Sequence, residues 1–296
     1  MKEVIHIAIP AVGDAYRFYA EVTAESARRG SSLLVEVHYL DWSTLDRTLV
    51  ERLGDWHGSA ITWSRLWLPE LFPELDWVVS ADADVMFRGD IAELWRLRDE
   101  RHWVLASRDN PMPGEAYNQK AISWYRDRGL RFDRPEEYFC AGLTLFNLKA
   151  MREGGWAKMR DEFLAVHDAT SMPNADQCVL NYLLQEKKSL LPRGWGVFSG
   201  DENADIDWTK AGAVHFVEDM PWNRHKVTHL MSDLVMEWWK IAEGFRFQVS
   251  GFRGCRNWFD YAWRRAVFLL LKHNQWILKL HPKLRLHLRS TRGVRV

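Results

Sequence analysis

The sequence predicts an α/β domain built on a mostly parallel sheet with helices on both faces. Two observations carry that reading. Short apolar runs rich in β-branched residues alternate along the chain with longer stretches of helical periodicity. The strongest of these runs, Trp77-Val78-Val79, breaks within a few residues into the acids Asp82 and Asp84, which puts polar chemistry just past a strand end. Open α/β sheets bind their ligands there.

The elements follow in order. Val4 to Ile9 reads as a buried first strand, Gly13-Asp14 turns it into a helix from Tyr16 to Arg29, and Gly30 stands at its C-cap. Leu33 to Leu40 is a second strand, and Ser43 to Asp46 resembles the start of a capping box. Helical signals run from Thr62 to Leu71, where Pro73 ends them. After the strand at Trp77 come a helix from Asp90 to Arg98, a strand from His102 to Ala106, and a loop from Asp109 to Glu115 with the reach of a lid. A helix over Asn118 to Asp127, a strand over Phe139 to Phe146 and a mostly helical stretch from Lys149 to His167 follow. Asn174 is expected to cap a helix reaching Gln185; short strands at Ser189 to Leu191 and Ala213 to Val217 precede a helix from Ser232 to Ala242.

In extended chain, residues i and i+2 point the same way, so Asp82 and Asp84 are expected to converge on one point. Two converging carboxylates favour a hard divalent cation that also accepts phosphate oxygens, which suggests a site for a diphosphate. The same acids would equally suit a solvated turn ahead of the helix at Asp90. Spacing alone does not decide, because Asp205 and Asp207 repeat it with no apolar strand before them. No Gly-x-Gly-x-x-Gly or Walker-type loop is present, which argues against dinucleotide and P-loop chemistry.

Composition narrows the class. With 296 residues, 47% hydrophobic and 27% charged, the chain can bury an ordinary globular core. Seventeen tryptophans suit contacts with sugars, nucleobases or a membrane interface. Three widely spaced cysteines, Cys140, Cys178 and Cys255, form neither a disulfide framework nor a zinc pattern, so a reducing cytosol is expected. The N-terminus turns polar too soon for a signal peptide, and no apolar run approaches the ~18 residues of a membrane span. Formal net charge is zero, yet Arg246 to Val296 carries twelve Lys and Arg against the single acid Asp260. Arg265, Lys272 and Lys279 recur every seven residues there, with Phe259, Ala266, Leu270 and Ile277 on another face and Trp258, Trp263 and Trp276 around them. Such a helix suits an anionic membrane surface or the acidic body of the protein itself. Nothing in it resembles a nucleic-acid fold. The expected division is therefore a domain at 1–244 and a basic aromatic extension at 245–296.

With these elements placed, the chain resembles glycosyltransferase family 8, the retaining enzymes that include glycogenin and bacterial lipopolysaccharide galactosyl- and glucosyltransferases. The likeness runs from Val4 to Trp222. Thr62-Trp63-Ser64-Arg65-Leu66 resembles the family's Tyr-x-Arg-Leu helix, and Asp82-Ala83-Asp84 with Gly89-Asp90 its metal motif and following helix. Ala141-Gly142 with Asn147-Leu148-Lys149, Asp176-Gln177, His215-Phe216 and Pro221-Trp222 complete it in order.

The resemblance implies a GT-A, Rossmann-like single domain and a metal-dependent transfer of a hexose from UDP-galactose or UDP-glucose to a glycan or lipid-linked saccharide of the cell envelope. It implies that Asp82, Asp84 and His215 bind Mn²⁺ or Mg²⁺, with two positions left for diphosphate oxygens. Tyr16 matches the aromatic that stacks on uracil, with Asp14 beside it for base or ribose. Arg65 would steady the phosphates or position the carboxylate of the metal motif; Asp176 and Gln177 would face the anomeric carbon and acceptor, and Trp222 lies in the donor motif. From the residues alone, His215 would as well be a structural histidine, Tyr16 a packing aromatic, Arg65 an exposed helix arginine and Asp176 part of a helix start. Two positions depart from the family. Cys140 stands where Asn is expected, and Met220 where a diphosphate-binding Lys is expected, so Arg224 or Lys226 is read as its replacement. These departures leave a non-catalytic or weakly active sugar-nucleotide-binding homologue as the alternative. A dehalogenase-like phosphatase fits less well, since two strands precede the acids and Met86 follows them. The expected location is cytoplasmic, or peripheral on the inner face of the plasma membrane.

Overall fold

A computed structural model describes residues 3–41, 51–54, 60–109, 116–198, 210–217, 220–222 and 233–244. The capping box at Ser43, the lid tip at 110–115, Asp205 and Asp207, Arg224, Lys226 and the whole extension at 245–296 lie outside these residues.

The central sheet has six strands: β1 (Val4–Pro10), β2 (Leu34–Leu40), β3 (Trp77–Ala81), β5 (Val104–Arg108), β6 (Phe139–Asn147) and β7 (Lys188–Leu190). Their spatial order is β2-β1-β3-β6-β5-β7. β1 pairs in parallel with β2 and β3, and β5 with β7, while β6 runs antiparallel to both its neighbours. The sheet is thus parallel-rich, as the alternation of elements predicts, with one strand reversed.

Helices cover both faces. On one lie α1 (Gly13–Gly30), α3 (Ile91–Trp95) and α8 (Asp233–Glu243), which share a core with Ile5, Ile7, Ile9, Val79 and Leu145. On the other lie a 3-10 helix (Ile61–Trp67), α2 (Leu68–Leu71), α4 (Ala116–Arg126), α5 (Leu148–Glu153), α6 (Trp156–Val166) and α7 (Ala175–Leu183), packed on Val78, Val104, Ala106 and Phe146. The alternating faces of β3 follow the pleat: Val79 goes to one core and Val78 to the other.

Several elements differ from expectation for identifiable reasons. The helix expected over Thr62 to Leu71 is a 3-10 helix that gives way to one α-turn. Pro69 lacks the N–H that would bond back to Arg65, and its ring crowds that carbonyl, so the chain tightens upstream. The stretch from Lys149 to His167 is two helices, broken at Gly154-Gly155 where Gly155 takes φ 78°. Gly30 belongs to the last turn of α1, and it is required for close approach, because a β-carbon there would stand 2.9 Å from the Gly89 carbonyl oxygen. Asn174 precedes α7 without a side-chain cap; its Nδ2 donates instead to the Tyr138 hydroxyl at 3.0 Å. Asp90 caps α3 as expected, accepting from the Ala92 N–H.

A second sheet of three short strands was not foreseen. β4 (Val85–Phe87) pairs antiparallel with β9 (Ala213–His215), which pairs in parallel with β8 (Val197–Phe198). This small sheet sits directly after the two acids and determines what they meet.

Candidate active site

β3 ends at Ala81, and Asp82 to Val85 form a tight turn closed by the Val85 N–H on the Asp82 carbonyl at 3.1 Å. The acids therefore converge through a turn, where the sequence suggested extended chain. Two backbone bonds hold the turn in place. The Asp82 N–H donates to the Gly142 carbonyl at 2.8 Å, and the Phe216 N–H donates to the Asp84 carbonyl at 2.9 Å. A third contact ties it to α1, whose Thr23 hydroxyl donates to the Ala83 carbonyl at 2.9 Å.

The antiparallel register of β4 and β9 sets Val85 opposite His215 and delivers the imidazole to the acids. His215 Nε2 stands 3.2 Å from Asp84 Oδ1 and 3.7 Å from Asp82 Oδ2. Donor atoms from all three side chains lie within 4.8 Å of one another. Burial opposes a charge on the His215 ring, but Asp84 and Cys140 beside it push its pKa up to about 10. A pocket that keeps a proton on a buried imidazole has the field of a cation site. Two carboxylate oxygens and an imidazole nitrogen at this spacing fit a divalent metal and leave coordination positions for oxygens of a ligand.

Arg65 organises the other side. Its side chain is only 3% exposed, and it pairs with Asp82 Oδ1 and with Asp176 Oδ2, the latter at 2.7 Å. Asp82 thus gives one oxygen to Arg65 and turns the other toward His215. Arg65 is a buried bridge here, not an exposed helix arginine. Asp176 also accepts from the Thr62 hydroxyl at 2.9 Å. It follows Ala175, the one non-glycine residue with positive φ (42°) among the described residues, so backbone strain accompanies its delivery to Arg65. Gln177 accepts from the Ala141 N–H at 2.8 Å and donates to Asp109 at 3.2 Å.

That Ala141 N–H is free for Gln177 because the β5–β6 ladder jumps. Ala106 pairs with Thr144 but Ser107 pairs with Cys140, so Ala141 to Leu143 leave the β5 register and reach the site. Cys140 Sγ lies 3.6 Å from His215 Nδ1. Gly142 also lies against the His215 ring, with no room for a β-carbon between them; this approach, the Cys140 contact and the Asp109–Gln177 bond were missed by sequence reasoning, since each joins residues far apart in the chain.

Asp14 and Tyr16 lie exposed at the start of α1, with Tyr16 53% accessible. Tyr16 meets Tyr19 edge-on at 5.7 Å, and Tyr19 stacks flat on Trp222 at 3.7 Å. Pro221 and Trp222 are anchored by α8: Trp239 Nε1 donates to the Pro221 carbonyl at 3.0 Å, and Trp238 packs on Trp222 at 5.6 Å. The aromatic pair read as donor-binding therefore belongs to one cluster spanning α1 and α8.

The sequence pattern described as glycosyl transferase family 8 matches residues 31–226, about two thirds of the chain. The chain belongs to glycosyl transferase family 8. Among curated proteins, human LARGE2, a xylosyl- and glucuronyltransferase, is 32% identical over 176 residues, covering 55% of this chain and 22% of that protein. Mouse LARGE2 is 33% identical over 196 residues, covering 62% and 25%. The chain thus spans about a quarter or less of the curated relatives it matches. Among solved structures, the galactosyltransferase LgtC in complex with donor and acceptor sugar analogues has a TM-score of 0.62 at 23% identity, covering 81% of this chain and 96% of that one. Apo GlyE of Streptococcus pneumoniae TIGR4 has a TM-score of 0.56 at 19% identity, covering 81% and 60%. These neighbours place this family 8 chain in the GT-A fold. No helix among its described residues is long and apolar enough to cross a membrane.

Proposed function

We propose that this chain is a metal-dependent, retaining glycosyltransferase that moves a hexose from UDP-galactose or UDP-glucose to a cell-envelope glycan or lipid-linked saccharide. The observation that carries the reading is the convergence of Asp82, Asp84 and His215, in a chain of glycosyl transferase family 8. The match to LgtC over nearly the whole length of that galactosyltransferase supports a hexose donor.

Asp82, Asp84 and His215 would hold Mn²⁺ or Mg²⁺, which supplies charge stabilisation to a departing diphosphate. Arg65 keeps Asp82 aimed by taking its other oxygen. Tyr16 offers an exposed face for the uracil ring, with Asp14 near it. Trp222 and Lys226 complete the donor side of this reading. Asp176 and Gln177 are assigned to the reacting centre, where retention would proceed by front-face attack and their polar groups would stabilise developing charge. Their support is the Arg65 bridge, which couples the start of α7 to the Asp82 turn. The extension at 245–296 is assigned to an anionic membrane surface on its basic charge, which would make the protein peripheral on the cytoplasmic face.

The test is hydrolysis and transfer with UDP-galactose, UDP-glucose and UDP-xylose in the presence of Mn²⁺. Turnover should require the ion and fall by at least 100-fold in Asp84→Ala, with the circular dichroism spectrum unchanged. Equal turnover in EDTA, or in the variant, overturns the metal-dependent reading. No turnover with any sugar nucleotide, alongside intact UDP binding, favours the non-catalytic homologue suggested by Cys140 and Met220.

A further inference from the structure

His6 lies on β1, and Glu36 and His38 lie two residues apart on β2. Parallel pairing sets His6 opposite Glu36 and Ala8 opposite His38. Residues i and i+2 of a strand share a face, so all three side chains rise from the same side of the sheet. Their donor atoms meet. His6 Nδ1 stands 3.1 Å from His38 Nε2 and 3.8 Å from Glu36 Oε2, and His38 Nε2 stands 3.9 Å from Glu36 Oε1. All lie within 4.8 Å of one another.

Those separations are near what a tetrahedral ion needs. Bonds of about 2.0–2.1 Å to nitrogen place two ligand atoms of a tetrahedron roughly 3.3 Å apart. Two imidazoles facing each other at 3.1 Å are also what a single N–H···N hydrogen bond produces. Glu36 adds a third donor within reach of both nitrogens, which completes a ligand set that the imidazole pair alone would lack. Glu36 is 57% exposed and the two histidines about a fifth exposed, so an ion has a route in and the carboxylate is free to close on it. Phe72 packs on the His38 ring at 4.8 Å and limits its rotation.

We propose that His6, Glu36 and His38 form a second metal site, of the zinc class, separate from the Asp82–Asp84–His215 centre. The donor chemistry discriminates between the two. Two imidazoles and one carboxylate favour Zn²⁺, Co²⁺ or Ni²⁺, whereas two carboxylates and one imidazole accommodate Mn²⁺ and Mg²⁺. A cavity of about 470 Å³ opens beside His6, lined also by Glu74, Asp76, Glu100, Arg96 and Arg98. Among the described residues β2 is an edge strand paired only with β1, so an ion bridging the two would staple the edge. The site would stabilise the fold without entering sugar transfer, and it does not depend on the function proposed above.

The test uses the full chain, stripped of metal and carrying Asp84→Ala so that the other centre is disabled. Zn²⁺ titration by calorimetry and thermal shift should reveal one tight site, and Co²⁺ at that site should show visible d–d bands of tetrahedral intensity. His38→Gln should weaken Zn²⁺ binding at least tenfold and abolish the Co²⁺ bands, while Mn²⁺ should not compete. Glu36→Gln, at an exposed position that leaves the strands undisturbed, should weaken Zn²⁺ as well. Zn²⁺ affinity within twofold of the parent in both variants reduces the cluster to a hydrogen-bonded imidazole pair and overturns the proposal. Should His38→Gln not fold, Glu36→Gln decides alone by the same criterion.

Discussion

Gly142 lies so close to the His215 ring that a β-carbon at position 142 would stand 2.1 Å from Cε1. The glycine is needed for space, since its φ is not among the positive ones. Gly142→Ala must therefore push His215 off Asp84 while the strand itself tolerates alanine. Mn²⁺ affinity should drop by ~10–100-fold, the range seen when a metal ligand loses its positioning. Calorimetric titration of the variant checks this; unchanged affinity would mean that the ring or β9 shifts without consequence.

Cys140 sits behind the same ring, with Sγ 3.6 Å from Nδ1. If the thiol accepts the Nδ1 proton, it presents the Nε2 lone pair to Asp82, Asp84 and a metal. Cys140→Ala should weaken Mn²⁺ binding about tenfold. Cys140→Asn, which restores the family's residue and an acceptor, should bind as the parent does. Equal affinity in the alanine variant removes the positioning role.

Arg65 carries structural as well as site duties. It is buried between two carboxylates, one of them, Asp176, nearly inaccessible. Arg65→Met would leave Asp176 a buried charge with, among the described residues, only the Thr62 hydroxyl as partner, a loss of ~3–5 kcal/mol. Arg65→Lys should recover part of this, since an ammonium cannot fork to both acids. Urea unfolding reads the difference, and a loss below ~1 kcal/mol for Arg65→Met would show that Asp176 does not depend on the guanidinium for its burial.

How much of this was legible follows from the physics of each element. Trp77 to Ala81 is long, apolar and β-branched, so its strand and the acids after it could be read directly. The strand at Ala213 could be read, but β4 and β8 have three and two residues, too few for alternation to register, and the β4–β9 pairing joins residues 130 positions apart. His215 was reached through family resemblance, because nothing local marks a three-residue strand as a ligand carrier. The Gly142–His215 approach and the β5–β6 register jump depend on tertiary packing and leave no pattern in the chain. Pro69 is visible in the sequence, but the helical periodicity around it masks its effect on the preceding turn.

Tyr16 projects from α1 with half its surface in solvent, so removing the ring sacrifices little packing. Tyr16→Ala should raise the KM for a UDP-sugar by about five- to tenfold, consistent with ~1–1.5 kcal/mol of stacking, and leave kcat and stability nearly unchanged. An unaltered KM would reassign the ring to its edge-on contact with Tyr19.

Lys188 gives the fold a pH dependence of its own. Its Nζ is buried, has no hydrogen-bond partner among the described residues, and lies 5.1 Å and 6.0 Å from the Phe132 and Phe139 ring centroids. Burial lowers its pKa from the ordinary 10.5 to about 8, against the pull of Glu137 and other nearby acids. Between these values the unfolded chain keeps a proton that the folded one has released, so this residue's contribution to stability rises with pH from 8 to 10.5. Below pH 8 both states are protonated and the folded state bears a poorly solvated charge. Lys188→Met should therefore stabilise the protein at pH 7 by about 1–2 kcal/mol, allowing for solvent screening, and the advantage should shrink as pH approaches 10. Urea midpoints of parent and variant across pH 7–10 test this, because other titrating groups cancel in the difference. A gap that stays constant with pH would mean the ammonium reaches water in solution.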